Sequence, residues 1–191
     1  MEHQIQHTKA IVLKIINIEE SSKILYLFTK KFGLVHAKGQ ALREERSKLR
    51  SHLNLFSLVD VDLVHGKSLW KITGAEEETS VFSLSEDFFS FMERFSKLIL
   101  RLCHGEEAED KIWKDLVSLF SIFPHTDKRF LPALEILIVV RLLSHLGYWG
   151  GSTQDFLLSD FPFQEKYYED ILKRRRFFVD LINQSLEQTQ L

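Results

Sequence analysis

At 191 residues, 45% hydrophobic and 27% charged, the chain has the length for one large domain or two small ones and can bury a core without metals or disulfides. Its one cysteine, Cys103, excludes an internal disulfide and a multi-cysteine zinc site within one chain, and fits a reduced, cytoplasmic setting. The net charge of −2 divides unevenly: residues 9–71 carry 12 Lys and Arg against 6 Asp and Glu, whereas residues 72–191 carry 13 against 20. A basic half points to a polyanionic partner, because each cation that neutralises a phosphate releases counterions and adds sequence-independent affinity.

The first segment, "MEHQIQHTKAIVLK", places an acidic residue and two histidines where a secretion signal would carry positive charge, so none is expected. "AIVLKII" (10–16) is a β-branched run that fits a buried strand, and "NIEESS" supplies a turn. "KILYLF" (23–28) and "GLVHAKG" (33–39) predict two more strands around the break at Phe32-Gly33. A long basic loop, "AKGQALREERSKLRSHL" (37–53), follows, in which Leu42, Leu49 and Leu53 have the near-helical spacing of a short helix. "LFSLVDVDLVH" (55–65) alternates, with Val59, Val61 and Leu63 on one face and Asp60 and Asp62 on the other; Gly66-Lys67 then turns the chain into "SLWKIT" (68–73). Five strands so joined predict a small closed barrel or sandwich over residues 1–80.

From residue 81 the period changes. Phe88, Phe91, Met92, Phe95, Leu98, Ile99 and Leu102 form one helical stripe, with Ser83 and Glu86 as a capping box and Gly105 as a stop. A second helix runs through "EAEDKIWKDLVSLFSIF" and ends near Pro124. A third is "LPALEILIVVRLLSHLG", with Pro132 in its first turn and Gly147 at its end; Glu135, Arg141 and His145 interrupt it and exclude a membrane span. "YWGGSTQDFLLSDFPF" reads as a loop, and "QEKYYEDILKRRRFFVDLINQSLEQ" as a last helix. Residues 81–191 are therefore expected to form an all-α helical domain.

No Gly-rich phosphate loop, metalloprotease helix or nucleophile elbow is present, so the chain is expected to be no enzyme and to hold no cofactor. Asp60 and Asp62 share a strand face and read as solvent-facing residues, not as a divalent-ion site; His3, His7 and the Cys103-His104 pair lack companion ligands. A hydrolase built from carboxylates of distant segments has no motif behind it. Single-strand binding needs cations that follow a backbone and faces on which bases stack. Lys14, Lys23, Lys38, Arg43, Arg46, Lys48, Arg50, Lys67 and Lys71 supply the first; Tyr26, Phe56 and Trp70 are candidates for the second, with barrel core as the competing reading. For Trp70 both readings stand. The run "KRRR" (173–176), near Asp170 on an amphipathic helix, reads as a solvated face.

"SSKILYLFTKKFGLVHAKGQA" followed by "SKLRSHLNLFSLVDVDLVHGKSLWKITGAE" resembles the N-terminal domain of RecO, the bacterial recombination mediator, continuously over residues 10–76. "LEILIVVRLLSHLGY" (134–148) resembles the family helix that ends in a Leu-Gly-Tyr turn. The resemblance implies an OB-fold β-barrel followed by a helical domain, in the cytoplasm at the bacterial nucleoid. It implies binding of single- and double-stranded DNA, annealing of complementary strands, and work with RecR to load RecA on DNA covered by single-strand binding protein. The family's basic DNA-contacting pattern "AKG-R---S-LR" falls on Lys38, Arg43, Lys48 and Arg50. Many relatives carry four zinc-binding cysteines after the Leu-Gly-Tyr turn; "YWGGSTQDFLLSD" has none, so no metal is expected there, and the chain is shorter than is usual for the family. The alternative is a helical adaptor with the barrel as scaffold, in which a Phe-lined groove beside Lys128, Arg129 or Arg141 takes an acidic, apolar peptide such as the tail of single-strand binding protein.

Overall fold

Alternating apolar residues draw the first part of the chain into five strands: β1 (Ile5–Asn17), β2 (Lys23–Thr29), β3 (Gly33–Gly39), β4 (Leu58–His65) and β5 (Trp70–Thr79). These come from a computed structural model that describes residues 4–18, 22–39, 52–79, 85–150 and 165–189. The strands close into a barrel in the order β1-β2-β3-β5-β4. β1 pairs antiparallel with both β2 and β4, and the barrel is completed where the start of β5 runs parallel to the end of β3 through Ala37↔Trp70 and Lys38↔Lys71. This is the OB-fold order that the family resemblance implied.

One residue of each pair of successive strand positions points inward, and those residues form the core: Val12, Leu25, Leu27, Val35, Val61 and Leu63 are almost wholly buried. Each such side chain contributes about 1.5–3 kcal/mol relative to leaving it in water. β1 keeps this alternation only by a bulge. The pairs Val12↔Leu27 and Lys14↔Tyr26 leave Leu13 without a counterpart in the register, so Lys14 turns outward although Ala10 and Val12 point in.

Strand β4 begins at Leu58, three residues later than the apolar run at 55 predicts. Residues 52–57 instead fold against β1: Phe56 N donates to Val12 O (2.8 Å), and Phe56 has a φ of 63°, which a strand does not tolerate. β5 in turn continues through "GAEEET", where Glu76 and Glu78 face solvent and Val59 and Val61 pair with Glu77 and Ala75.

The chain forms two compact units, Met1–Trp113 and Lys114–Leu191. The sequence period changes near residue 80, but helix α1 (Glu86–Leu102) belongs with the barrel. Its buried stripe is Phe88, Phe91, Met92, Phe95, Ile99 and Leu102, and the Phe89 ring lies 6.0 Å from that of Phe56. Its cap is Ser85, whose side chain accepts from Phe88 N, not Ser83, which lies outside the described residues.

Helix α2 (Asp110–Ile122) crosses the boundary between the units. The second unit is organised around α3 (Leu131–His145), apolar on nearly every side and covered by α4 (Glu165–Lys173) and α5 (Arg175–Gln188). Pro132 opens α3, and Gly147, at φ 76°, closes it while Tyr148 N donates back to Leu143 O. The single helix expected over 164–188 is two. It breaks at Arg174 (φ −106°, ψ 18°), whose guanidinium lies over the Phe177 and Phe178 rings. No helix among the described residues is long and apolar enough to cross a membrane.

Candidate nucleic-acid interface

Strand register gathers the cations on one outer face of the barrel. Lys14 of β1 pairs with Tyr26 of β2, which pairs with His36 of β3; one pleat further along, Ile24 pairs with Lys38, and Lys38 with Lys71 of β5. Two adjacent cross-strand rows therefore read Lys14–Tyr26–His36 and Ile24–Lys38–Lys71, with rows about 7 Å apart along the strands. Lys14, Lys71 and His36 are exposed, Lys38 and Tyr26 half-buried. The Tyr26 and His36 rings meet at 4.3 Å and 54°, and the Lys14 ammonium stands 5.4 Å over the Tyr26 ring. Lys23 begins β2 and is half-buried, and Lys67 is exposed in the tight turn that Gly66 N closes on Leu69 O.

The opposite side of the barrel is acidic. Asp60 pairs with Glu76 across β4–β5 and with Lys9 across β1–β4, and Lys9 Nζ donates to Glu78. That hydrogen bond raises the Lys9 pKa and commits its charge locally. Asp62 accepts from His7 Nδ1, and among the described residues no three His, Cys, Asp or Glu side chains stand where they could hold a metal ion. A polyanion is thus favoured on the β1–β2–β3–β5 face and repelled from the β4–β5 face.

A cleft of about 440 Å³ lies against the first row. Its floor is Lys14, Tyr26, Leu34 and His36; the turn residues Ser68 and Leu69 form one side, and the end of α1 with residues 103–106 forms the other. Two contacts pin that second side to the barrel. Trp70 Nε1 donates to Glu106 Oε1 (2.9 Å), and Gly33, at φ 62°, lies so close to Glu107 that a Cβ there would stand 1.9 Å from the Glu107 carbonyl oxygen. Burial, with Glu109 nearby, pushes the Cys103 thiol up to about 12, so it lines the cleft as a neutral group.

The remaining candidates divide. Trp70 belongs to the core: it is 6% exposed, between Phe32 and His65, with its indole N–H on Glu106. It offers no stacking surface, because β5 enters the barrel at that residue with its inward face. Phe56 is likewise buried. Arg43, Arg46, Lys48 and Arg50, with the short helix expected around them, lie outside the described residues, as does the segment without cysteines at 151–160.

In the helical unit, Arg141 is not a surface cation. Its guanidinium donates through Nε and Nη2 to the two oxygens of Asp115 (2.8 and 2.9 Å), and His145 Nε2 donates to Asp115 Oδ2 (3.0 Å), all inside the unit. It therefore offers no charge to a partner, contrary to the sequence expectation, because that charge is spent on holding α2 to α3. Lys128 and Arg129 are exposed on a single 3-10 turn, where Arg129 lies beside Asp127 and over the Phe130 ring. His36 and Glu106 enter the site without having been expected. The alternation of "GLVHAKG" carried the signal for His36, which shares its face with Lys38; nothing local carried it for Glu106.

The first 80 residues match the family model described as Recombination protein O N terminal. The barrel-bearing part of the chain is thus similar to the N-terminal domain of RecO. It is 30% identical to a DNA repair protein RecO of Clostridium novyi over 143 residues, 74% of this chain and 56% of that protein. A RecO protein of Chlorobium limicola is 30% identical over 145 residues, 74% and 55% of the two chains, and one of Thermobifida fusca 38% identical over 65 residues. The chain spans about half the length of the first two RecO relatives.

Proposed function

We propose that this chain acts in recombinational DNA repair as a non-enzymatic DNA-binding protein, holding strands on the β1–β2–β3–β5 face of its barrel. The observation that carries the reading is the pair of adjacent rows, Lys14–Tyr26–His36 and Ile24–Lys38–Lys71, on the OB-fold face suited to oligonucleotides. The segment between β3 and β4 adds Arg43, Arg46, Lys48 and Arg50 in sequence. Lysines and arginines contact phosphates and stacking tolerates any base, so binding is independent of sequence. On the family resemblance, the protein binds single- and double-stranded DNA, anneals complementary strands, and with RecR helps load RecA on DNA covered by single-strand binding protein. An adaptor built on Arg141 loses its anchor, since that side chain is buried on Asp115.

Annealing of complementary oligonucleotides, followed by fluorescence quenching with and without single-strand binding protein, tests this. The protein is expected to accelerate annealing in both conditions. Annealing at the spontaneous rate in both would contradict the reading.

A further inference from the structure

We infer that the cleft beside Tyr26 takes one unpaired nucleobase, so that the barrel distinguishes single strands from duplex; this rests on the DNA-binding reading above and names the substrate of that same face. The cleft holds about 440 Å³, within the roughly 300–1,000 Å³ range of small-molecule sites. Its floor presents an aromatic pair, Tyr26 on His36, flanked by Leu34 and Leu69, and Lys14 marks the approachable face of the tyrosine ring. An exposed cation–π contact is weaker than base–aromatic stacking, so a base displaces the ammonium from the ring. Lys14 ends a flexible four-carbon stem and then meets the phosphate beside that base.

The carboxylate of Glu106 on the wall disfavours a phosphate as the occupant of the cleft itself. Glu106 stands there with one oxygen held by Trp70, and a carboxylate repels a phosphate while accepting from the exocyclic amine of a base. The neutral Cys103 thiol adds no charge. The pinned wall is preorganised, since Gly33 and Trp70 hold residues 106–107 in place without a ligand. A duplex keeps its base faces inside its own stack and offers none to the ring, so it meets only the lysines.

Fluorescence anisotropy with the full chain tests this, using a labelled single strand, the same strand with abasic sites, and the matching duplex. Wild type is expected to bind the intact strand about ten-fold more tightly than the abasic one. Tyr26→Ala should remove that difference, whereas Tyr26→Phe should keep it; thermal unfolding of both variants confirms that they are folded. Equal wild-type binding of intact and abasic strands, or a preference that persists in Tyr26→Ala, would overturn the inference and leave DNA binding standing. Wild type that binds none of the three probes would overturn the DNA-binding reading and the inference together.

Discussion

Gly33 shows how one residue shapes the cleft from the far side of the barrel turn. It needs a left-handed backbone at φ 62°, and it also leaves room for the Glu107 carbonyl, where a Cβ would intrude to 1.9 Å. Gly33→Ala therefore incurs both a left-handed backbone cost of about 1–2 kcal/mol and a steric cost of about 1–3 kcal/mol. Urea unfolding is expected to show a loss of about 2–5 kcal/mol; a change within about 0.5 kcal/mol would mean that Glu107 does not press on the β2–β3 turn. The sequence marks Gly33 as a break between strands, which is correct, but its close approach to residue 107 is a tertiary fact that no local pattern encodes. Trp70 makes the same point, since strand alternation on "SLWKIT" is compatible with either face until β5 is seen to pair with β3.

Among the elements, strands and helices with a clean period were legible, and the departures have physical causes. The apolar run of β1 marks it as a strand, but the bulge at Leu13 is silent in composition, and it is the bulge that turns Lys14 outward. The end of β5 is hidden in the sequence because an outer face of glutamates looks like a loop, and the start of β4 is obscured because "LNLF" is apolar while its backbone turns. The break at Arg174 carries no Pro or Gly to announce it. On α3 the sequence shows a cation among apolar residues, and only packing reveals Asp115 opposite it. Removing one member of such a pair leaves a buried charge, so Asp115→Ala should destabilise the helical unit by about 3–5 kcal/mol in denaturant unfolding. Asp115→Leu combined with Arg141→Met should recover most of that loss, and a double variant no more stable than Asp115→Ala would contradict the account.

At the scale of the molecule, the uneven charge along the chain becomes a two-sided barrel: lysines on the β1–β2–β3–β5 face and carboxylates on β4–β5. The half-and-half charge division was readable at once from the sequence, but which strands carry which sign required the barrel to close. The family match covers the barrel, and the chain spans about half of its first two relatives. The decisive measurement is the salt dependence of affinity for a labelled single strand, compared between wild type and the triple variant Lys14→Ala, Lys38→Ala, Lys71→Ala. Each lost phosphate contact flattens the slope of log K against log salt by about 0.7, so the triple variant should bind more weakly with a slope shallower by about 2. Wild-type affinity and an unchanged slope in that variant would show that DNA does not bind this face of the barrel.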